Sequence, residues 1–171
     1  QTRLPWRPER RWLHTMSAIE DEHGEGIFFV SYGGQGTRAQ TPCGLLSDVV
    51  IGAAWAETAM LPRVRAKRLE GVGGEQPLGR GGHSATLLPC AASTHPHRHR
   101  LIVFGGLVPT RHEVGVGEFV FGANVTDELW CLALDVGKLK FLLGEMLEET
   151  AAAWSRVRAR GAPPSPRWCH S

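Results

Sequence analysis

Arg80-Gly81-Gly82-His83-Ser84, then Leu101-Ile102-Val103-Phe104-Gly105-Gly106, then Thr126-Asp127-Glu128-Leu129-Trp130: the reading of this stretch decides the fold. Each part has an upstream counterpart. The lead segment matches Arg11-Trp12-Leu13-His14-Thr15 and recurs a third time as Arg167-Trp168-Cys169-His170-Ser171. The apolar run matches Ile27-Phe28-Phe29-Val30-Ser31-Tyr32-Gly33-Gly34, and the acid-led segment matches Ser47-Asp48-Val49-Val50-Ile51. A last part, Trp154-Ser155-Arg156-Val157-Arg158-Ala159-Arg160, follows the second copy as Leu61-Pro62-Arg63-Val64-Arg65-Ala66-Lys67 follows the first. Parts that keep their order in two copies mark an internal repeat, in which one supersecondary unit stacks on the next.

Each repeat reads as four strands. The first runs from Leu13 to Ile19, and from His83 to Leu88. The second is a continuous apolar run, as expected of a strand buried on both faces. Its closing glycines, Gly33-Gly34 and Gly105-Gly106, allow a sharp turn and close approach of a neighbouring sheet. The third lies near Asp48–Ile51 and Glu128–Asp135, with Trp130 among its apolar bulk. The fourth carries an Arg-Val-Arg-Ala alternation, a period-2 signature of a half-exposed strand. Arginines on such an outer strand discourage edge-to-edge pairing.

These residues resemble the Kelch repeat family: the Arg-x-x-His-Ser/Thr lead, the apolar strand ending in Gly-Gly, the Asp-Glu-Leu-Trp segment and the Trp154-Ser-Arg-Val segment. The first copy departs from the pattern, with Leu61 where Trp154 is expected and Ile51 where Trp130 sits. The resemblance implies an all-β fold, a partial propeller of two four-stranded antiparallel blades with inserted loops and one short helix. Blade 1 spans 13–69, blade 2 spans 83–160, and a third repeat starts at 167–171. The periods, 69 residues from His14 to His83 and 87 from His83 to His170, exceed the roughly 50 of a Kelch blade. The surplus belongs in loops, where insertion costs little. Two blades cannot close a ring, and bare blade faces expose apolar surface, so the remaining blades of a longer parent chain are expected partners.

Composition agrees with a folded domain of many turns: 171 residues, 42% hydrophobic, 21 glycines, formal charge +2. That charge is too small to argue for nucleic acid. No apolar run is long enough for a membrane span, since Gly44 to Leu61 carries Asp48 and Glu57. Cys43, Cys90, Cys131 and Cys169 are widely spaced, with no C-x-x-C pair, which favours reduced thiols and an intracellular, cytoplasmic setting.

The candidate sites are few. His14, His83 and His170 hold equivalent places and read as structural, together with Gly33, Gly34, Gly105, Gly106, Trp130 and Trp154. His95, His97 and His99 alternate in a segment flanked by arginines, which suits a solvent-exposed loop better than a metal site. Gly71-Val72-Gly73-Gly74 opens no helix and reads as a connector between blades rather than a phosphate cradle. Lys138 to Ala153 has leucines at helical spacing and reads as a short amphipathic helix. The loop Leu107 to Val125, with Arg111, His112, Glu113, Glu118, Phe119 and Phe121, is the candidate for contact with a partner.

No nucleophile–base pair, metal cluster or paired carboxylate stands out, so no catalytic residue and no cofactor is assigned. The family implies a protein–protein interaction module, a scaffold or adaptor with a protein partner. The competing expectation is a Kelch domain appended to an enzyme, such as a tRNA wybutosine-pathway carboxymethyltransferase, with its catalytic residues outside this chain. A copper-radical oxidase would need tyrosine ligands, and Tyr32 is the one tyrosine here.

Overall fold

The computed structural model describes residues 9–20, 26–37, 42–58, 61–89, 98–115, 118–135, 152–162 and 164–169. These residues form strands and turns, with no α-helix among them. The helix expected over 138–153 falls mostly outside the described residues, as do His95, His97 and His170. Ala152 and Ala153, its last two positions, begin a strand.

Two antiparallel sheets carry the fold. The first takes β2 (Thr15–Glu20), β3 (Ile27–Tyr32), β5 (Val49–Thr58) and β6 (Leu61–Arg68) in chain order. The second takes β8 (Ser84–Pro89), β9 (Arg98–Phe104), β12 (Leu129–Asp135) and β13 (Ala152–Arg156), also in chain order. A short ribbon joins β1 (Arg11–Trp12) to β4 (Gln35–Gly36), and a hairpin of β10 (Leu107–Gly115) and β11 (Glu118–Val125) follows the second Gly-Gly pair.

The second sheet is not purely four-stranded and antiparallel. The connector contributes β7 (Gly73–Gly74), which pairs in parallel with Ala153–Trp154. Chain leaving the first sheet is thereby tied to the outer edge of the second. The corresponding edge of the first sheet is β6, where Arg63, Val64 and Arg65 are exposed and the Arg65 guanidinium lies 5.7 Å from the Trp55 ring. Charge at that edge disfavours pairing with another sheet.

The two sheets share one core. Ile19, Val30, Tyr32, Val49 and Ile51 of the first pack with Leu101, Val103, Trp130, Leu132, Leu134 and Trp154 of the second. Their alternation along each strand shows that each sheet turns one face to the other. In each sheet we term front the face bearing Met16 and Phe29, or their counterparts Ala85 and Leu101. The back face bears Ile19 and Tyr32, or Leu88 and Phe104. The back of the first sheet packs on the front of the second. Opposite faces therefore meet, which is the stacking of successive repeats and not of mirror-related sheets.

Strand pairing also corrects two sequence alignments. Val49 pairs with Tyr32 where Leu129 pairs with Phe104, so Asp48 corresponds to Glu128, and Val50 rather than Ile51 stands for Trp130. Arg68 pairs with Val50 where Arg156 pairs with Trp130, so Trp154 corresponds to Ala66, not Leu61. The Arg-Val-Arg-Ala segments are not equivalent: 63–66 lies inside β6, whereas β13 ends at Arg156. Register is fixed by burial of one face, and a look-alike run cannot override it.

Candidate functional site

The lead segments build the joint between repeats. The Gly82 amide donates to the Leu13 carbonyl at 2.8 Å, and the Cys169 amide donates to the Gly82 carbonyl at 2.6 Å. Leu13, Gly82 and Cys169 hold the same place in three leads and share left-handed backbone, with φ of 55°, 65° and 50°. The Gly34 amide donates to the Arg80 carbonyl, and the equivalent Gly106 amide donates to that of Arg167. The third lead is thus bound to the second repeat as the second lead is bound to the first.

Glycine is required where these chains cross. Gly34 and Gly106 have φ of 100° and 95°, and a β-carbon there would lie 2.8 Å from His14 Cβ and 2.9 Å from His83 Cβ, respectively. Left-handed backbone and close approach exclude a side chain at either position.

The lead arginine locks each repeat. Arg11 donates to the Gly33 carbonyl and forms a bidentate pair with Asp48 at 2.7 and 2.8 Å. Arg80, fully buried, donates to the Gly105 carbonyl at 3.2 Å and to Glu128 Oε2 at 3.0 Å. Charge-assisted bonds of this kind are the strong ones, and a buried guanidinium needs them to offset lost hydration. Glu128 also accepts from Trp130 Nε1 at 3.1 Å and pairs with Arg156 at 3.1 Å. Partial burial would raise its pKa. The hydrogen bonds from Trp130 and Arg80 and the charges of Arg80 and Arg156 outweigh burial and hold it below the ordinary carboxylate value.

Between the two repeats, Thr15 Oγ1 lies 2.8 Å from His83 Nε2. The Tyr32 ring meets His83 at 5.2 Å and Trp154 at 4.8 Å between centroids. Tyr32 donates to the Leu78 carbonyl, and burial pushes its hydroxyl up to about 12 despite the opposing pull of Arg80. His83 is buried, whereas His14 is exposed and has its pKa lowered by desolvation and by Arg11. The structure thus places His83, Trp130 and Trp154 among the buried residues and Gly33, Gly34, Gly105 and Gly106 at left-handed turns that close the second strands. The acid partners of Arg11 and Arg80 escaped the sequence reading; an acid just before each third strand was the available signal.

The candidate contact loop is the hairpin β10–β11. Its base is bridged to the lead through Gly81 and Leu107, and the Cys43 thiol, in the short 3-10 turn Pro42–Gly44 of the first repeat, donates to the Gly122 carbonyl at 2.8 Å. Arg111 pairs in register with Phe121, and Glu113 with Phe119. Arg111, Glu113 and Phe121 are exposed on one face, while His112 sits on the other, 3.1 Å from Thr110 Oγ1. The side chains of Glu118 and Phe119 lie outside the described residues. The hairpin brings together three of the six proposed residues and sets His112 apart.

Cys43, Cys131 and Cys169 are free thiols. His99 lies in β9, paired with Leu134 and not in a loop. Among the described residues no three His, Cys, Asp or Glu side chains stand together as metal ligands, and no helix is long and apolar enough to cross a membrane. No protein-family model matches the chain, and no curated protein or solved structure matches it either.

Proposed function

We propose that the chain is a pair of Kelch-type propeller blades acting as a protein–protein interaction module, with hairpin β10–β11 as its contact element. The observation that supports this reading most is the hairpin's outward face. Phe121 is 54% exposed there, beside Arg111 and Glu113. An aromatic ring flanked by both signs of charge is the make-up of a protein-binding patch. The hairpin is anchored at its base and against the first repeat, so little ordering entropy opposes binding.

The test compares proteins captured by the native chain with those captured by Phe121→Ala and Arg111→Glu variants. A specific partner should be lost at least about tenfold, as for an interface anchor, with unchanged thermal melting. Undiminished capture by both variants would remove the hairpin from the contact.

A further inference from the structure

The lead arginines share one local bond and differ in what the rest of the guanidinium meets. In each lead the arginine Nε donates to the carbonyl two residues upstream. Arg11 reaches Glu9 at 3.3 Å, Arg80 reaches Leu78 at 3.4 Å and Arg167 reaches Ser165 at 3.2 Å. The terminal nitrogens of Arg11 go on to Asp48, and those of Arg80 to Glu128. Arg167 Nη2 turns instead to the hydroxyl of Ser165, 3.4 Å away. A neutral hydroxyl at that length is a weak partner for a guanidinium.

Glu9, Leu78 and Ser165 hold equivalent places, and the first of them is an acid. Ser165 can be made into one. It is exposed, it lies in chain that is neither helix nor strand, and Pro166 follows it. Proline brings no N–H of its own and biases the residue before it toward extended backbone. An exposed, extended hydroxyl followed by proline is the form in which a proline-directed protein kinase takes its substrate. Thr41 also precedes a proline in the sequence. Access to Ser165 does not turn on what packs beyond the second sheet. Its counterpart Leu78 is 58% exposed although the second sheet packs on the first.

We infer that Ser165 is a phosphorylation site for a proline-directed protein kinase, and that Arg167 holds the phosphate. In the transfer, Ser165 Oγ bonds to the γ-phosphorus of ATP, the bond from that phosphorus to the β,γ-bridging oxygen breaks, and ADP leaves. The hydroxyl proton passes to the catalytic base of the kinase. The product carries a charge of about −1.5 to −2 and strong acceptor oxygens. Its ester oxygen is the one that now lies 3.4 Å from Arg167 Nη2. The phosphate gives Arg167 the anion that Asp48 gives Arg11 and Glu128 gives Arg80. The surroundings are basic: Arg156 and Arg158 line one cavity with Pro164, the residue before Ser165. Asp127 and Glu128 line it too, but Glu128 is already paired with Arg80 and Arg156.

The purified chain, incubated with a proline-directed serine/threonine kinase and ATP, tests the site. Mass spectrometry of its peptides should find phosphate on Ser165. Ser165→Ala should abolish that signal, and Pro166→Ala should remove most of it. Phosphorus NMR then tests the role of Arg167. The phosphate should titrate about 0.5 pH unit below the value of about 6 for free phosphoserine, as for an exposed ion pair. Arg167→Gln, at an exposed position, should accept phosphate as the native chain does and return the midpoint to about 6. No phosphate on Ser165, or incorporation indifferent to Pro166→Ala, would overturn the site. A midpoint unmoved by Arg167→Gln would overturn the part given to the arginine. Neither outcome bears on the hairpin reading, which rests on other residues.

Discussion

The two repeats follow the same path through the same strand order, yet the second is the better-built one. Its front face carries Trp130, Leu132 and Trp154, where the first repeat has Val50, Gly52 and Ala66. Its Glu128 gathers Arg80, Trp130 and Arg156, whereas Asp48 is bound by Arg11. The difference teaches that the two repeats obtain their bulk from different sides. On the second sheet's front face Trp154 packs against Tyr32 of the other sheet. On the first sheet's front face the Phe29 ring lies over Gly52, and Val50 beside it is buried. Position in the repeat sets the backbone; the neighbour sets the side chain.

Three changes can break or sharpen that comparison. The largest effect belongs to Trp154→Ala, which empties the seat beside Tyr32 and should cost about 3–5 kcal/mol in urea unfolding. A loss under about 1 kcal/mol would mean that the ring does not join the two sheets. Next comes the pair Ile19→Ala and Leu88→Ala, identical in repeat position. The first should cost about 2–4 kcal/mol, and the second should stay within about 0.5 kcal/mol in the monomer. Equal costs would show that the two back faces are covered alike.

The smallest effects are in pH. The Glu128 pKa is lowered in the fold, so its stabilisation is present above the unfolded carboxylate value and is lost as pH falls through the folded one. Tyr32 is raised to about 12, so its contribution holds below about 10, its unfolded value, and is lost as pH climbs through about 12. Melting curves should sag at both ends. Glu128→Gln should flatten the acid limb and Tyr32→Phe the alkaline one.

The repeat itself, its four-strand order, the two Gly-Gly turns and the outer position of β6 were all legible in the residues. Those features depend on local pattern: continuous apolar runs, paired glycines, alternating arginine. Register was not legible. Asp127 and Glu128 stand side by side, and only the reach of Arg80 selects the second as the partner of the lead. Arg63-Val64-Arg65-Ala66 and Arg156-Val157-Arg158-Ala159 look alike, but Trp154 is buried and pulls its strand five residues away from that alignment. The parallel strand at Gly73–Gly74 has no side chains to announce it. The hairpin β10–β11 was visible as an insertion, but its division into an outward face bearing Arg111, Glu113 and Phe121 and a second face bearing His112 came from pairing alone.

The mutual packing of the two sheets is most directly tested by a double-mutant cycle between Tyr32 and Trp154, which lie in different repeats and meet at 4.8 Å. With Tyr32→Leu, Trp154→Leu and the double variant measured by urea unfolding, the account predicts a coupling of about 0.5–1.5 kcal/mol, as for stacked aromatic pairs. Strictly additive losses would contradict it, because rings in separate, unstacked sheets have no energy to share.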